Sequence, residues 1–261
     1  YRPDHRDKTV SGIVSDFERR KAKVIPIYEA LQRIYGPLEW HPGIDPLDEL
    51  ISCILSQSTS DTNRDRGFHA LKASYSTWGE VADAPTDELI DVIRPAGLAN
   101  QKGPRIQSIL QRIARERGAY NIDFLADVPL DEARQWLTSF DGIGPKTAAI
   151  VLAFAFGRPS FPVDTHVHRL GQRIGFFPVS TSADKAHPIM ESLFPVEWHY
   201  SGHIYIIQHG RQTCTARVAH CERCPITAYC DYFQALKAEA NEAPAKSQKP
   251  KARNRKPEEG S

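Results

Sequence analysis

Four cysteines stand close together as Cys214-x6-Cys221-x2-Cys224-x5-Cys230, so one short segment can supply four thiolates to a single metal centre. Zinc sites usually pair two C-x2-C knuckles across a longer insert, each gripping one side of a tetrahedron. Here only one C-x2-C occurs, and the unequal spacings suit wrapping a [4Fe-4S] cubane, each Cys on a different iron; zinc is the alternative. With all four positions filled by Cys, no iron is left open for substrate, and the simpler reading is that the metal folds the loop. Arg211, Arg217, His220 and Arg223 lie in or beside that loop, where they could meet phosphates or simply face solvent.

A second group begins at Phe140-Asp141-Gly142-Ile143-Gly144-Pro145-Lys146. Gly142 and Gly144 permit a tight turn with close backbone approach, Ile143 can plug it, and Pro145 suits the first position of a helix. The free amides of that helix start, with the positive end of its dipole, make an anion site for which a nucleic-acid phosphate is a natural ligand. Lys146 falls in the first turn, beside the positive helix end and next to the apolar run Ala148 to Phe156, a setting that favours a neutral, nucleophilic amine able to form a Schiff base. A solvated surface lysine is the simpler reading of Lys146 taken alone. Downstream, Phe161-Pro162-Val163-Asp164-Thr165-His166 puts a carboxylate just before a helix, where it can cap the helix and also take a proton from Lys146.

These groups need rigid elements to hold them, and the chain reads as all-α. Apolar residues recur every three or four positions: Ile25, Tyr28, Leu31 and Ile34 form one stripe, and Leu47, Leu50, Ile51, Ile54 and Leu55 another. The run from Ala148 to Phe156, apolar on every side, predicts a helix buried in the core. Breaks fall at Gly36-Pro37, Pro42-Gly43, Pro95 to Gly97, Gly142 to Pro145 and Gly157 to Pro162.

In this order, Gly142-Ile143-Gly144-Pro145-Lys146, Val163-Asp164-Thr165-His166 and the four-cysteine loop make the chain resemble the endonuclease III family of helix-hairpin-helix DNA glycosylases, from about Pro46 to Phe233. The resemblance implies a two-domain fold: a six-helix barrel over 39–158, and an iron–sulfur cluster domain built from 9–38 and 159–236. It implies a bifunctional glycosylase/AP lyase of base excision repair, with Lys146 as nucleophile, Asp164 as the assisting carboxylate and a [4Fe-4S] cluster on the four cysteines. The partner would be double-stranded DNA carrying damaged bases, oxidised pyrimidines in particular, or abasic sites. Because a stacked base is out of reach, the nucleotide must be flipped out. Gln57, in Ser56-Gln57-Ser58-Thr59-Ser60-Asp61, would fill the vacated space, and Leu98, in Gly97-Leu98-Ala99-Asn100, would wedge into the stack. Gly142, Ile143, Gly144, Thr165, His166 and Arg217 complete the expected DNA contacts. Within the fold the alternative is a monofunctional glycosylase, which in the adenine-removing relative lacks a lysine at the position of Lys146; a more distant one is a non-enzymatic DNA-binding or electron-transfer module using the cluster.

Composition limits the partners less sharply. Hydrophobic residues make up 41% of the 261, charged residues 25%, and the formal net charge is +1. Residues 244–261 hold six Lys/Arg against two Glu, leaving 27 basic and 30 acidic residues in the remainder, a net −3. DNA binding must then rest on local patches and backbone amides rather than a general positive field. Residues 237–261 are expected to form a disordered basic tail. No run reaches the ~20 apolar residues of a membrane helix, and the charged start from Tyr1 to Lys8 has no apolar signal region. An intracellular, cytoplasmic and nucleoid-associated monomer is expected.

Overall fold

The computed structural model describes residues 16–242, whose regular elements are helices joined by loops, with no β-strand among them. The helices that matter for the site are α1 (Val24–Tyr35), α2 (Pro46–Ser56), α3 (Asp61–Ser74), α4 (Trp78–Asp83), α5 (Thr86–Ile93), α6 (Ala99–Arg117), α7 (Leu130–Thr138), α8 (Pro145–Ala155), α9 (Thr165–Ile174), α10 (Ala183–Leu193), α11 (His199–Gln212) and α12 (Asp231–Glu242). Short polar side chains start many of them. Asp45 accepts from the Asp48 amide at 2.8 Å, Ser60 from Asn63 at 3.3 Å and Asp164 from Val167 at 2.7 Å, each satisfying a backbone donor that the first helical turn leaves open. None of the described helices is long and apolar enough to cross a membrane.

Two apolar cores organise these helices. The first joins α2 through α8, from Leu47 to Leu152, and α8 packs along α2 within it. The second joins α1 to the elements from Phe161 to Ile226, with α11 packed against both α1 and α9. The N-terminal helix is held there by specific contacts: Tyr28 stacks on Trp198 with ring centroids 4.1 Å apart and shares a 2.8 Å hydrogen bond with Ser201, while Tyr205 donates to the Gly36 carbonyl at 2.7 Å. Arg134 and Glu191, paired at 2.6 Å, and Trp40, donating to the Phe154 carbonyl at 2.7 Å, tie the layers to each other.

The stripe expected over α1 is shifted. Val24, Ile27, Tyr28 and Leu31 are buried, whereas Ile25 and Ile34 are exposed. A strict spacing of three falls short of the ~3.6-residue turn, so the stripe drifts around the helix and Ile25 and Ile34 end on opposite sides of it. The second stripe, Leu47 to Leu55, is buried in full. At the C-terminal end α12 runs to Glu242, so the basic tail does not begin at 237; the run Gln234-Ala235-Leu236-Lys237-Ala238-Glu239 is made of strong helix formers. Residues 9–15 and 243–261, to which the sequence assigns a domain edge and the tail, lie outside the described residues.

Candidate active site

The phosphate-gripping turn is built as its sequence suggests. Phe140, at the end of the α7 segment, packs edge-on to Trp136 at 4.7 Å with the Arg112 guanidinium over its ring at 4.4 Å, and Arg112 also bonds the Ser139 carbonyl and hydroxyl. Gly142 takes φ 76, a left-handed geometry that suits glycine, and a Cβ there would lie 2.4 Å from Nε of Arg105. Ile143 is buried in the first core and its amide bonds the Phe140 carbonyl at 3.1 Å, so the side chain plugs the turn and is not offered to a ligand. Gly144 begins α8 without any side-chain cap, and Pro145 has no amide proton to satisfy. The first-turn amides are therefore open to an anion.

One face of α8 leaves the core. Lys146, Ile150 and Phe154 recur every four residues and line a cavity holding about 1290 Å³ of atom-free space, part of it open to solvent. Its other walls come from α2 (Glu49, Ser52, Cys53, Ser56), the loop and start of α3 (Thr59, Asp61, Arg64), the start of α9 (Asp164, Thr165, His166) and α11 (His203, Ile204, Ile207, Gln208, Arg211). Lys146 and Asp164, distant in sequence, thus share one cavity between the two cores. Lys146 is exposed and Asp164 half-buried. Because Asp164 Oδ1 is held by the Val167 amide, the carboxylate has a fixed position while its second oxygen can serve the cavity.

Burial shapes the remaining titratable groups. His203 is buried behind the cavity and donates from Nδ1 to the Pro162 carbonyl at 2.8 Å; burial pushes the imidazole down to about 4, opposed by the nearby Asp164 carboxylate. A folded-state value below that of a free histidine means that the unfolded chain binds more protons as pH falls, so stability is lost between about 6.5 and 4. His203→Gln is expected to flatten that decline, the wild type losing on the order of 5 °C more in Tm than the variant between pH 7 and pH 4.5, measured by circular dichroism melts. Burial likewise raises Glu49, which accepts a weak hydrogen bond from the Cys53 thiol at 3.5 Å. Gln208 Oε1, also facing this space, has no hydrogen-bond partner.

Two further residues have partners that only the fold reveals. Arg211 pairs with Asp61 at 2.9 Å across the cavity mouth, joining α11 to the start of α3. Lys102, on α6, is only 1% exposed and its Nζ donates to the carbonyls of Leu55 at 2.7 Å and Ala96 at 2.8 Å. It thereby fixes the end of α2, from which Gln57 follows, to the turn preceding Leu98. Lys102→Met would keep most of the volume and leave both carbonyls unpaired. A loss of about 2–4 kcal/mol is expected, read by urea denaturation.

Of the other expected contacts, Leu98 is 48% exposed at the start of α6, and Thr165 and His166 line the cavity, His166 Nδ1 lying 3.2 Å from Arg169 Nη2. Gln57 does not reach into the cavity: its amide bonds the turn and Arg105. Arg217 is exposed on the cysteine loop and is not part of the cavity wall.

The four cysteines surround a separate cavity. Cys214, Cys221, Cys224 and Cys230 all line about 360 Å³ of atom-free space, with Leu170, Ile174 and Ile226 as apolar neighbours. Among the described residues no three His, Cys, Asp or Glu side chains converge on one ion-sized point. Cations and donors brace the loop: Arg173 Nη1 approaches Cys214 Sγ at 3.1 Å and bonds the Thr215 carbonyl at 2.8 Å, and Arg223 bonds the Gln212 carbonyl at 2.7 Å.

Comparison with known proteins gives the family and the fold. Residues 51–195 match the HhH-GPD superfamily base excision DNA repair protein family. Endonuclease III of Sulfolobus acidocaldarius is 32% identical over 186 residues, 70% of this chain and 81% of the relative; endonuclease III of Thermotoga maritima is 31% identical over 194, 74% and 86%. The fold superposes on a trapped endonuclease III–DNA covalent intermediate with a TM-score of 0.70 at 27% identity, covering 83% of this chain and 98% of that one. The chain belongs to the HhH-GPD superfamily of base excision DNA repair proteins, as a member of its endonuclease III family.

Proposed function

We propose that this protein removes damaged bases from double-stranded DNA and then cuts the strand at the resulting abasic site, using Lys146 as nucleophile and Asp164 as its partner. The observation that carries this reading is the shared cavity: an exposed amine at the start of a helix, a carboxylate fixed at the start of another, and room for one flipped nucleotide between them. Asp164 accepts a proton from the Lys146 ammonium, and the freed lone pair attacks C1′ of the flipped nucleotide. The bond to the base breaks and the base leaves with that electron pair, taking up a proton. Opening of the sugar gives a Lys146 imine, which acidifies the C2′ proton; loss of that proton expels the 3′ phosphate and nicks the strand. The turn around Gly142 and Gly144 holds the backbone phosphate through its amides while this happens. Leu98 stands exposed to meet the duplex, as do Thr165 at the cavity edge and Arg217 on the cysteine loop, with the half-buried His166 beside Thr165. Damaged, oxidised pyrimidines are the proposed substrates, and Glu49 and Gln208 are placed to meet the polar edge of the extruded base.

The division into a barrel over 39–158 and a cluster domain from 9–38 and 159–236 is supported by the two separate cores. The four cysteines fit a [4Fe-4S] cluster, which when bound would serve to fold and stiffen the loop from 214 to 230. Freshly purified protein is expected to contain about four iron atoms per chain, with Cys224→Ser losing most of them, as measured by metal analysis; zinc in equivalent amount would contradict the assignment. A monomer acting on nucleoid DNA inside the cell completes the proposal. A panel of duplexes, each with one lesion, tests the activity: release of an oxidised pyrimidine together with strand cleavage is expected, and inactivity on every lesion and on abasic DNA would overturn it.

A further inference from the structure

Gln57 has both ends of its amide occupied. Nε2 donates to the Gly142 carbonyl at 2.9 Å, on the phosphate-gripping turn, and Oε1 accepts from Arg105 Nη1 at 3.1 Å. Arg105 lies against the same turn, its guanidinium filling the space that a Cβ on Gly142 would need, with Nε 3.9 Å from Asp141 Oδ2. A Gln57 side chain reaching into a duplex would have to give up both bonds, one of them to a cation. The residues at the tips of the two neighbouring loops differ in kind. Ser58 and Leu98, at φ 55 and 51, are the two non-glycine residues with positive φ among those described, and both are exposed. Non-glycine residues pay about 1–2 kcal/mol for this conformation, which persists only where the surroundings impose it. Lys102 supplies that restraint by clamping the stems of both loops, and the loops abut, a Cβ on Gly97 falling 4.0 Å from Thr59 Oγ1.

We infer that Gln57 and Arg105 are positioning residues which lock the phosphate-gripping turn to the lesion-side loop, and that Ser58, held in a left-handed conformation beside Leu98, is the side chain that fills the space the flipped nucleotide leaves. The inference rests on the DNA-cleaving reading above. In that setting the residue filling the vacated space would be the short Ser58 beside Leu98, and the chain's discrimination among bases opposite the lesion would follow Ser58 rather than Gln57.

The test compares wild type, Gln57→Ala, Arg105→Ala, the double variant and Ser58→Gln on duplexes with an abasic site opposite A, C, G or T. Gln57→Ala and Arg105→Ala are each expected to lower kcat/KM about tenfold, the equivalent of one charge-assisted hydrogen bond. The loss should appear chiefly in KM and equally for all four opposite bases. The double variant should be no worse than the poorer single, since both break one linkage, and Arg105→Lys should recover part of the loss. Ser58→Gln should change the ratios among opposite bases. The inference is overturned if Gln57→Ala alters those ratios, if the two single losses multiply in the double variant, or if neither single variant loses activity. Should Arg105→Ala unfold, as circular dichroism would reveal, Gln57→Ala and Arg105→Lys carry the comparison. A wild-type chain that cleaves no abasic duplex would sink the functional reading instead; affinity for undamaged duplex, by fluorescence anisotropy, would then decide the strut, with equal weakening in both single variants supporting it and unchanged affinity overturning it.

Discussion

Lys146→Gln is expected to abolish base release and strand cleavage, with a loss of at least about a thousandfold in single-turnover rate, while affinity for duplex DNA changes little. The glutamine keeps the length of the side chain and its place on the exposed face of α8, where Ile150 and Phe154 continue the cavity wall. It removes the one group there that can attack C1′ and form an imine. Because Lys146 is exposed and the core side of α8 is untouched, the variant should melt within a few degrees of the wild type. Gel-based assays for excision and nicking, run beside a binding isotherm, separate the two effects. Base release without nicking would instead mark water as the nucleophile and Lys146 as an accessory to the elimination alone.

Asp164→Asn should slow both steps by about a hundredfold to a thousandfold with the fold intact. Asn caps helices as well as Asp does, and the bond from the Val167 amide, 2.7 Å in the native protein, needs only an acceptor oxygen. Stability should therefore change by under about 0.5 kcal/mol, the scale of an equivalent cap. Asp164→Ala, which loses the cap too, should cost about 1 kcal/mol in addition to the rate. Equal slowing by both variants with a stability loss only in Ala separates the proton-accepting role from the capping role. If Asn lowered stability and left the rate untouched, the carboxylate would be a cap and no more.

Local features were the ones legible in the sequence. The turn from Phe140 to Lys146 could be read because its glycines, proline and flanking apolar residues act within one helical turn of one another. The cysteine loop could be read because its four thiols are near in sequence, and in the folded chain all four line one cavity. Asp164 as a helix cap was likewise a matter of the next three residues. That Lys146 and Asp164 line one cavity depends on how two cores pack against each other; the sequence put a carboxylate at a helix start where it could take a proton from Lys146, but the shared space appears only in the folded chain. Lys102 was invisible for a physical reason: a lysine among the polar residues of α6 reads as solvated, and the two carbonyls it binds belong to other elements, one of them 47 residues away. Gln57 shows the same limit. Its motif resembles a DNA-facing loop of the family, but its partner Gly142 is 85 residues distant, and only the folded chain shows the amide already engaged. Ile25 and Ile34 face solvent because a run of three-residue steps drifts off the ~3.6-residue period, which leaves these two on opposite sides of α1.

Borohydride trapping probes the central chemistry most directly. With the wild-type protein and a duplex holding one abasic site, reduction during turnover should yield a stable one-to-one protein–DNA adduct, and peptide mapping should place the modified residue at Lys146. An adduct on another residue, or cleavage of the strand with no adduct at all, would contradict the assignment of Lys146 as the imine-forming nucleophile.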